Sequence, residues 1–117
     1  MAKITMQEFY ENAELLEATY IPFESKLTIA LTIVESLIDS HGSINTTILR
    51  RTATEMILDT ITNIDMSLEC DEIGLNGYDY LYYNEDCYNL LMGLIGFQFN
   101  EFMRIVKEQA KDFEDGK

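Results

Sequence analysis

Residues 22–40 read PFESKLTIALTIVESLIDS, and the spacing of their apolar positions decides the fold class. Phe23, Leu27, Ala30, Val34, Leu37 and Ile38 recur at intervals of three and four, widened by Ile29 and Ile33, which predicts an amphipathic helix across the segment. Pro22 suits a first helical turn because it lacks the amide donor that this position would waste. Gly42, just past His41, predicts a left-handed stop. His41 then falls at the helix C-terminus, where a partly positive imidazole favours the terminal carbonyls.

The same signals recur on both sides. Upstream, Thr5-Met6-Gln7-Glu8 fits a capping box, followed by Phe9, Tyr10, Ala13, Leu16 and Tyr20 on one helical face, with Glu8, Glu11, Glu14 and Glu17 on the rest. Downstream, a third helix is predicted from about residue 46 to 63, with Leu49, Ala53, Met56, Ile57, Ile61 and Ile64 inward. Its threonines lower intrinsic helicity, so packing must hold it. Residues 65–77, with their acids and with Gly74, Asn76 and Gly77, read as an acidic loop. A short turn through Tyr78-Asp79-Tyr80-Leu81 leads to a helix over residues 86–95, weakened at its end by Gly93 and Gly96. A last helix starts near Phe97 and aligns Phe99, Phe102, Met103, Val106, Ala110 and Phe113. Residues 114–117 are expected to fray. With no repeat, low-complexity tract or linker, the expectation is all-α: one compact domain of four to five helices over residues 1–117.

A chain of 117 residues is large enough to bury roughly 65% of its unfolded surface without staples. Its 47% hydrophobic and 25% charged residues are those of a globular protein. Charge is the outlier: 8 basic against 21 acidic residues, a net −13, with a pI near 4.2. That balance argues against binding nucleic acid phosphates or an anionic membrane surface, both of which need clustered Lys and Arg. The longest apolar run, residues 90–97, is far short of the ~18 residues of a membrane span, and the start lacks a signal-peptide pattern. A soluble intracellular protein is expected. Cys70 and Cys87 form no C-x-x-C pair and have no nearby histidine, so two buried thiols are expected rather than a zinc site or a disulfide.

Catalytic signals are missing. His41 is the sole histidine, and no nucleophile elbow, zincin, phosphate-loop or dinucleotide motif occurs. A non-enzyme needing no cofactor is expected. Residues 65–71 place oxygen side chains at alternate positions, as a calcium loop does, but Cys70 stands where the loop glycine belongs and Asn76 where a bidentate Glu belongs. A solvated acidic loop is the simpler reading.

Residues 52–103 contain no Lys or Arg, yet hold ten Asp or Glu and five of the seven tyrosines. Tyr78, Tyr80, Tyr82, Tyr83 and Tyr88 stand among Asp79, Glu85 and Asp86. Tyrosine is enriched in binding hot spots because it offers rigid area at little entropic cost. Stacking of single-stranded bases would need a basic groove, which this stretch lacks. Rows of carboxylates can imitate a phosphate ladder, although charged runs are more often solvated faces. The candidate partner-binding residues are Glu69, Asp71, Glu72, Tyr78, Asp79, Tyr82, Tyr83, Glu85 and Asp86. The expected partner is a basic protein.

At Tyr20-Ile21-Pro22-Phe23-Glu24-Ser25-Lys26 the chain resembles a group of small acidic proteins of Firmicutes bacteriophages and prophages, in which an aromatic-Ile-Pro-Phe-Glu-x-Lys segment opens the second helix. The resemblance continues loosely at Thr62-Asn63-Ile64, Tyr78-Asp79-Tyr80-Leu81 and Asn100-Glu101-Phe102. It implies an all-helical fold and a phage setting, not an activity. Within the motif, Pro22 is expected to start a helix, Phe23 to anchor it, and Lys26 to pair with an acid.

Two functions of different class follow as expectations. The first is an anti-CRISPR-like inhibitor in the host cytoplasm, occupying the basic nucleic-acid-binding surface of a host defence effector. The second is a virion-assembly or structural accessory protein that binds its own copies or a head or tail component, for which an exposed apolar patch and a homo-oligomer are expected.

Overall fold

The Thr5–Glu8 capping box is present in both directions: the Thr5 hydroxyl accepts from the Glu8 amide at 2.9 Å, and the Glu8 carboxylate accepts from the Thr5 amide at 2.9 Å. The structure is a computed structural model that describes residues 2–70 and 74–115. Helix α1 is only Met6–Glu11. Asn12 ends it, because its side chain accepts from the Glu14 amide and diverts the backbone into a single 3-10 turn, Ala13–Leu15. No helix continues to Tyr20, although Phe9 is buried and Tyr10, Ala13 and Leu16 still pack against the core. Tyr20 is 68% exposed.

Helix α2 spans Phe23–Leu37 with Pro22 as its N-cap residue. Its fully buried positions are Lys26, Ala30, Ile33 and Val34, and Leu27, Ile29, Leu37 and Ile38 pack partly buried against the core. The expected stripe fails only at Phe23, which is 46% exposed rather than an anchor. The helix stops short of Ser40. Asp39 accepts from the amides of His41 and Ser43, and Ile38 bridges to Ile44, closing a turn in which Gly42 adopts φ 76°. Gly42 therefore serves this turn and not the helix end, and His41 lies beyond the α2 carbonyls.

Helix α3 is Thr46–Ile61, capped by Asn45, whose side chain accepts from the Thr47 and Ile48 amides. Leu49, Ala53, Thr54, Ile57, Leu58 and Ile61 are buried, while Met56 is 41% exposed. The Thr54 and Thr60 hydroxyls donate to carbonyls one turn back, which satisfies the buried Thr54 hydroxyl inside the helix. The segment after α3 pairs at single positions with the N-terminal region, Ile4 with Ile64 and Ala18 with Thr62.

The expected turn at Tyr78 is a helix, α4, Gly77–Tyr83, capped by Asn76 through the Asp79 amide. Gly77 is required by close approach: an added Cβ would lie 2.9 Å from Met66 Cα and 3.0 Å from the Met66 carbonyl oxygen. Gly77→Ala is expected to lower stability by about 2 kcal/mol through backbone overpacking. A urea midpoint unchanged from wild type would contradict that contact.

The two predicted C-terminal helices are one. Helix α5 runs Glu85–Asp115, 31 residues, and Gly93 and Gly96 do not interrupt it. Two glycines cost roughly 2 kcal/mol relative to alanine. The buried series Cys87, Leu91, Ile95, Phe99, Phe102, Val106 and Ala110 continues across them, and that burial outweighs the cost. At ~1.5 Å per residue the helix is about 46 Å long, matching the longest dimension of the molecule, 46 Å. The helix also includes Glu114 and Asp115, expected to fray; residues 116–117 lie outside the described part. Helices α2 and α3 form a hairpin, and α5 packs against both. The fold is all-α: five α-helices among the described residues share one hydrophobic core that takes residues from every helix.

Candidate functional site

The spacing of tyrosines on α4 sorts them. Tyr80 is buried at 1% exposure, whereas Tyr82 and Tyr83 are 45% and 53% exposed. Tyr78 and Tyr82, one turn apart, bring their ring centroids within 4.9 Å, and Tyr82 lies 5.7 Å from Tyr88 at the start of α5. A continuous aromatic row thus joins two helices. Burial pushes the Tyr82 hydroxyl above its ordinary pKa, with Tyr78 adding to the effect and Arg50 opposing it.

The acids divide. Asp79 is exposed in the first turn of α4, three residues before Tyr82 and four before Tyr83, so it edges the row. Glu85 precedes Tyr88 by three residues and shares its side of α5. Asp86 is two residues from Tyr88, about 200° around the helix, and therefore faces away. Glu69 is exposed in the loop. Asp71 and Glu72 lie outside the described residues.

The fold adds cations that the linear charge pattern kept apart from the tyrosines. The Arg51 guanidinium sits 5.1 Å from the Tyr78 ring centroid and holds Glu55 at 3.2 Å. Arg50 and Tyr82 line a shallow depression with Tyr78, Thr46 and Thr47. Beside it, α3 and α5 enclose a groove of about 570 Å³, floored by Leu49, Phe99, Met103 and Val106 and rimmed by Arg50, Lys107, Lys111 and Glu114. Sequence reasoning missed this gathering. The spacing of Lys107 and Lys111 puts them on one face of α5, but nothing local says that Arg50 joins them.

Other candidates resolve into structure. Asp65 accepts from the Ser67 hydroxyl at 2.6 Å and amide at 3.0 Å, and these bonds hold its carboxyl below the usual range. Asp59, which accepts from the Met66 amide at 3.3 Å, is raised, chiefly by burial. Among the described residues no group of three His, Cys, Asp or Glu could hold a metal ion, and no helix is long and apolar enough to cross a membrane.

Cys70 and Cys87 are buried and not disulfide-bonded. Burial, with Cys70 adding, pushes the Cys87 thiol up to about 12. Unfolded, a thiol ionises near 8.5. Keeping Cys87 neutral therefore contributes stability that is fully present below about pH 8.5 and is lost as pH rises toward 12. Unfolding free energy is expected to fall across that window, and to fall less steeply in Cys87→Ala, whatever that variant's offset at neutral pH. Equal slopes would contradict the assignment.

One surface is apolar. On α5, Phe97 is 91% exposed, Leu94 56% and Leu90 37%, and an added Cβ at Gly93 would meet nothing within 4 Å.

The chain matches no protein-family model, no curated protein and no solved structure.

Proposed function

We propose that this is a non-catalytic protein-binding module that presents the α4–α5 aromatic face to a basic protein surface. The observation that carries the reading is the row Tyr78–Tyr82–Tyr88, with ring spacings of 4.9 and 5.7 Å. Tyr83 is exposed beside it, and Asp79 and Glu85 lie at its edge. Rigid aromatic area ringed by charge is the composition of a binding hot spot. Arg51 does not oppose a basic partner strongly, because Glu55 offsets it and its guanidinium covers Tyr78. The net charge of −13 would steer such a partner from a distance. In the phage setting implied by the sequence motif, the proposed target is the nucleic-acid-binding surface of a host defence effector.

The test is capture from bacterial lysate on immobilised protein, followed by elution with duplex DNA. The expected result is a basic nucleic-acid-binding protein, released by DNA, bound less at higher salt and lost from Tyr82→Ala/Tyr83→Ala/Glu85→Gln. Retention through the DNA wash, or equal capture by the triple variant, would overturn the reading.

A further inference from the structure

Helix α5 carries a second seam, opposite the one that faces the core. Asp86, Leu90, Gly93, Phe97, Asn100 and Arg104 follow one another at alternating spacings of four and three, the heptad rhythm of a helix that pairs with another helix. At roughly 100° per residue all six fall within about an 80° arc. None of them is buried: Phe97 is 91% exposed and the Arg104 side chain 58%. The core-facing Cys87, Leu91, Ile95 and Phe102 lie on the other side of the helix. A soluble helix with two apolar faces has one of them without a partner.

We propose that α5 pairs antiparallel with α5 of a second copy of this chain, across a two-fold axis beside Ile95. In that register Phe97 of each copy lies over Gly93 of the other, where the missing side chain leaves room for a ring. Leu90 covers the aliphatic part of Asn100, and Asp86 meets Arg104 at both ends. The seam is self-complementary, as a two-fold interface must be. Charge selects the register. Sliding one helix so that Leu90 faces Phe97 sets Asp86 against Glu101, and sliding it so that Phe97 faces Phe97 sets Asp86 against Glu108. Parallel pairing sets Asp86 against Asp86. Each of these three sets carboxylate against carboxylate, offset at Glu101 by Lys26 at 2.7 Å and at Glu108 by Arg104 at 3.1 Å, whereas the proposed register sets Asp86 against the Arg104 guanidinium at both ends. The inference is independent of the aromatic-face reading, since Asp86 is the only candidate residue it uses and that residue faces away from the tyrosine row.

Sedimentation equilibrium over a wide concentration range tests the pairing. Wild type is expected to be a reversible dimer that moderate salt strengthens, because two chains of net −13 repel at long range and salt screens that repulsion. Phe97→Asn should weaken the dimer at least about tenfold with unchanged helicity and melting temperature, since a side chain this exposed contributes little to the monomer fold. Asp86→Arg and Arg104→Asp should each weaken it severalfold, and the double variant should recover most of the loss. A wild type that stays monomeric throughout, or a dimer indifferent to Phe97→Asn, overturns the interface. Single charge reversals without effect, or a double variant no better than either single, overturn the antiparallel register.

Discussion

Glu101→Ala is expected to cost about 3–5 kcal/mol of folding stability, and Lys26→Met much less. Lys26 is fully buried on α2, and its ammonium lies 2.7 Å from the Glu101 carboxylate on α5. The same ammonium sits 4.4 Å from the centroid of the Tyr20 ring. Removing Glu101 leaves a desolvated cation with an aromatic face and no counter-ion. Removing Lys26 leaves a carboxylate that is 29% exposed and can rehydrate, while Met fills nearly the same volume without charge. Urea unfolding of the two single variants and of the pair closes a double-mutant cycle. A Glu101→Ala protein within about 1 kcal/mol of wild type would mean that the cation is satisfied some other way, well short of the loss expected for breaking a buried pair.

Asn63→Ala is expected to cost about 3 kcal/mol, from partly buried backbone groups left without partners. The Asn63 side chain accepts from the Glu17 amide at 2.8 Å and donates to the carbonyls of Ala2 at 3.1 Å and Leu15 at 3.0 Å. Its own amide donates to the Glu17 carbonyl, and its carbonyl accepts from the Ile4 amide. One side chain thus fastens three points of the N-terminal segment. Asn63→Asp keeps the acceptor but sets a carboxylate against two carbonyl oxygens. That raises the new carboxyl's pKa, so the variant should recover stability as pH falls. Hydrogen exchange localises the effect: amides of residues 4–19 should lose protection before those of α3 and α5. Uniform loss would show that Asn63 supports the whole core instead.

No periodicity, cap or turn signal in the sequence marks Asn63 as the residue that fastens the N-terminal segment. What the sequence did carry was local. The Thr5–Glu8 cap, the start of α3 and the core positions Leu49, Ala53, Ile57, Ile61, Phe99, Phe102, Val106 and Ala110 follow from spacing and cap chemistry. What it did not carry was decided across the chain. Tyr20 and Phe23 fit a helical stripe but are exposed, and Lys26 joins the buried side of α2 because Glu101, 75 residues away, supplies a counter-ion that local periodicity cannot identify. Gly93 and Gly96 look like an end because propensity is local, whereas the burial that overrides them runs along the full length of α5. At the candidate site, the tyrosine density was visible, but the arrival of Arg50 and Arg51 at the rings was not. The separation of Asp86 from Tyr88 was legible, since two residues apart in the predicted helix over 86–95 already means about 200° around it.

The Lys26–Glu101 pair also sets a timetable for synthesis. Gln98 fastens the extended segment by accepting from the Ile21 amide and donating to the Thr19 carbonyl, so the first quarter of the chain depends on residues made much later. At ~5–20 residues per second, the ribosome exposes the N-terminal segment and α2 for several seconds before Gln98 and Glu101 exist. Translation that stalls before Glu101 would release a chain whose most buried cation has no counter-charge and whose central hairpin has no third helix to pack against. Such fragments would be early substrates for proteolysis, and folding of this protein is correspondingly a late event in its manufacture.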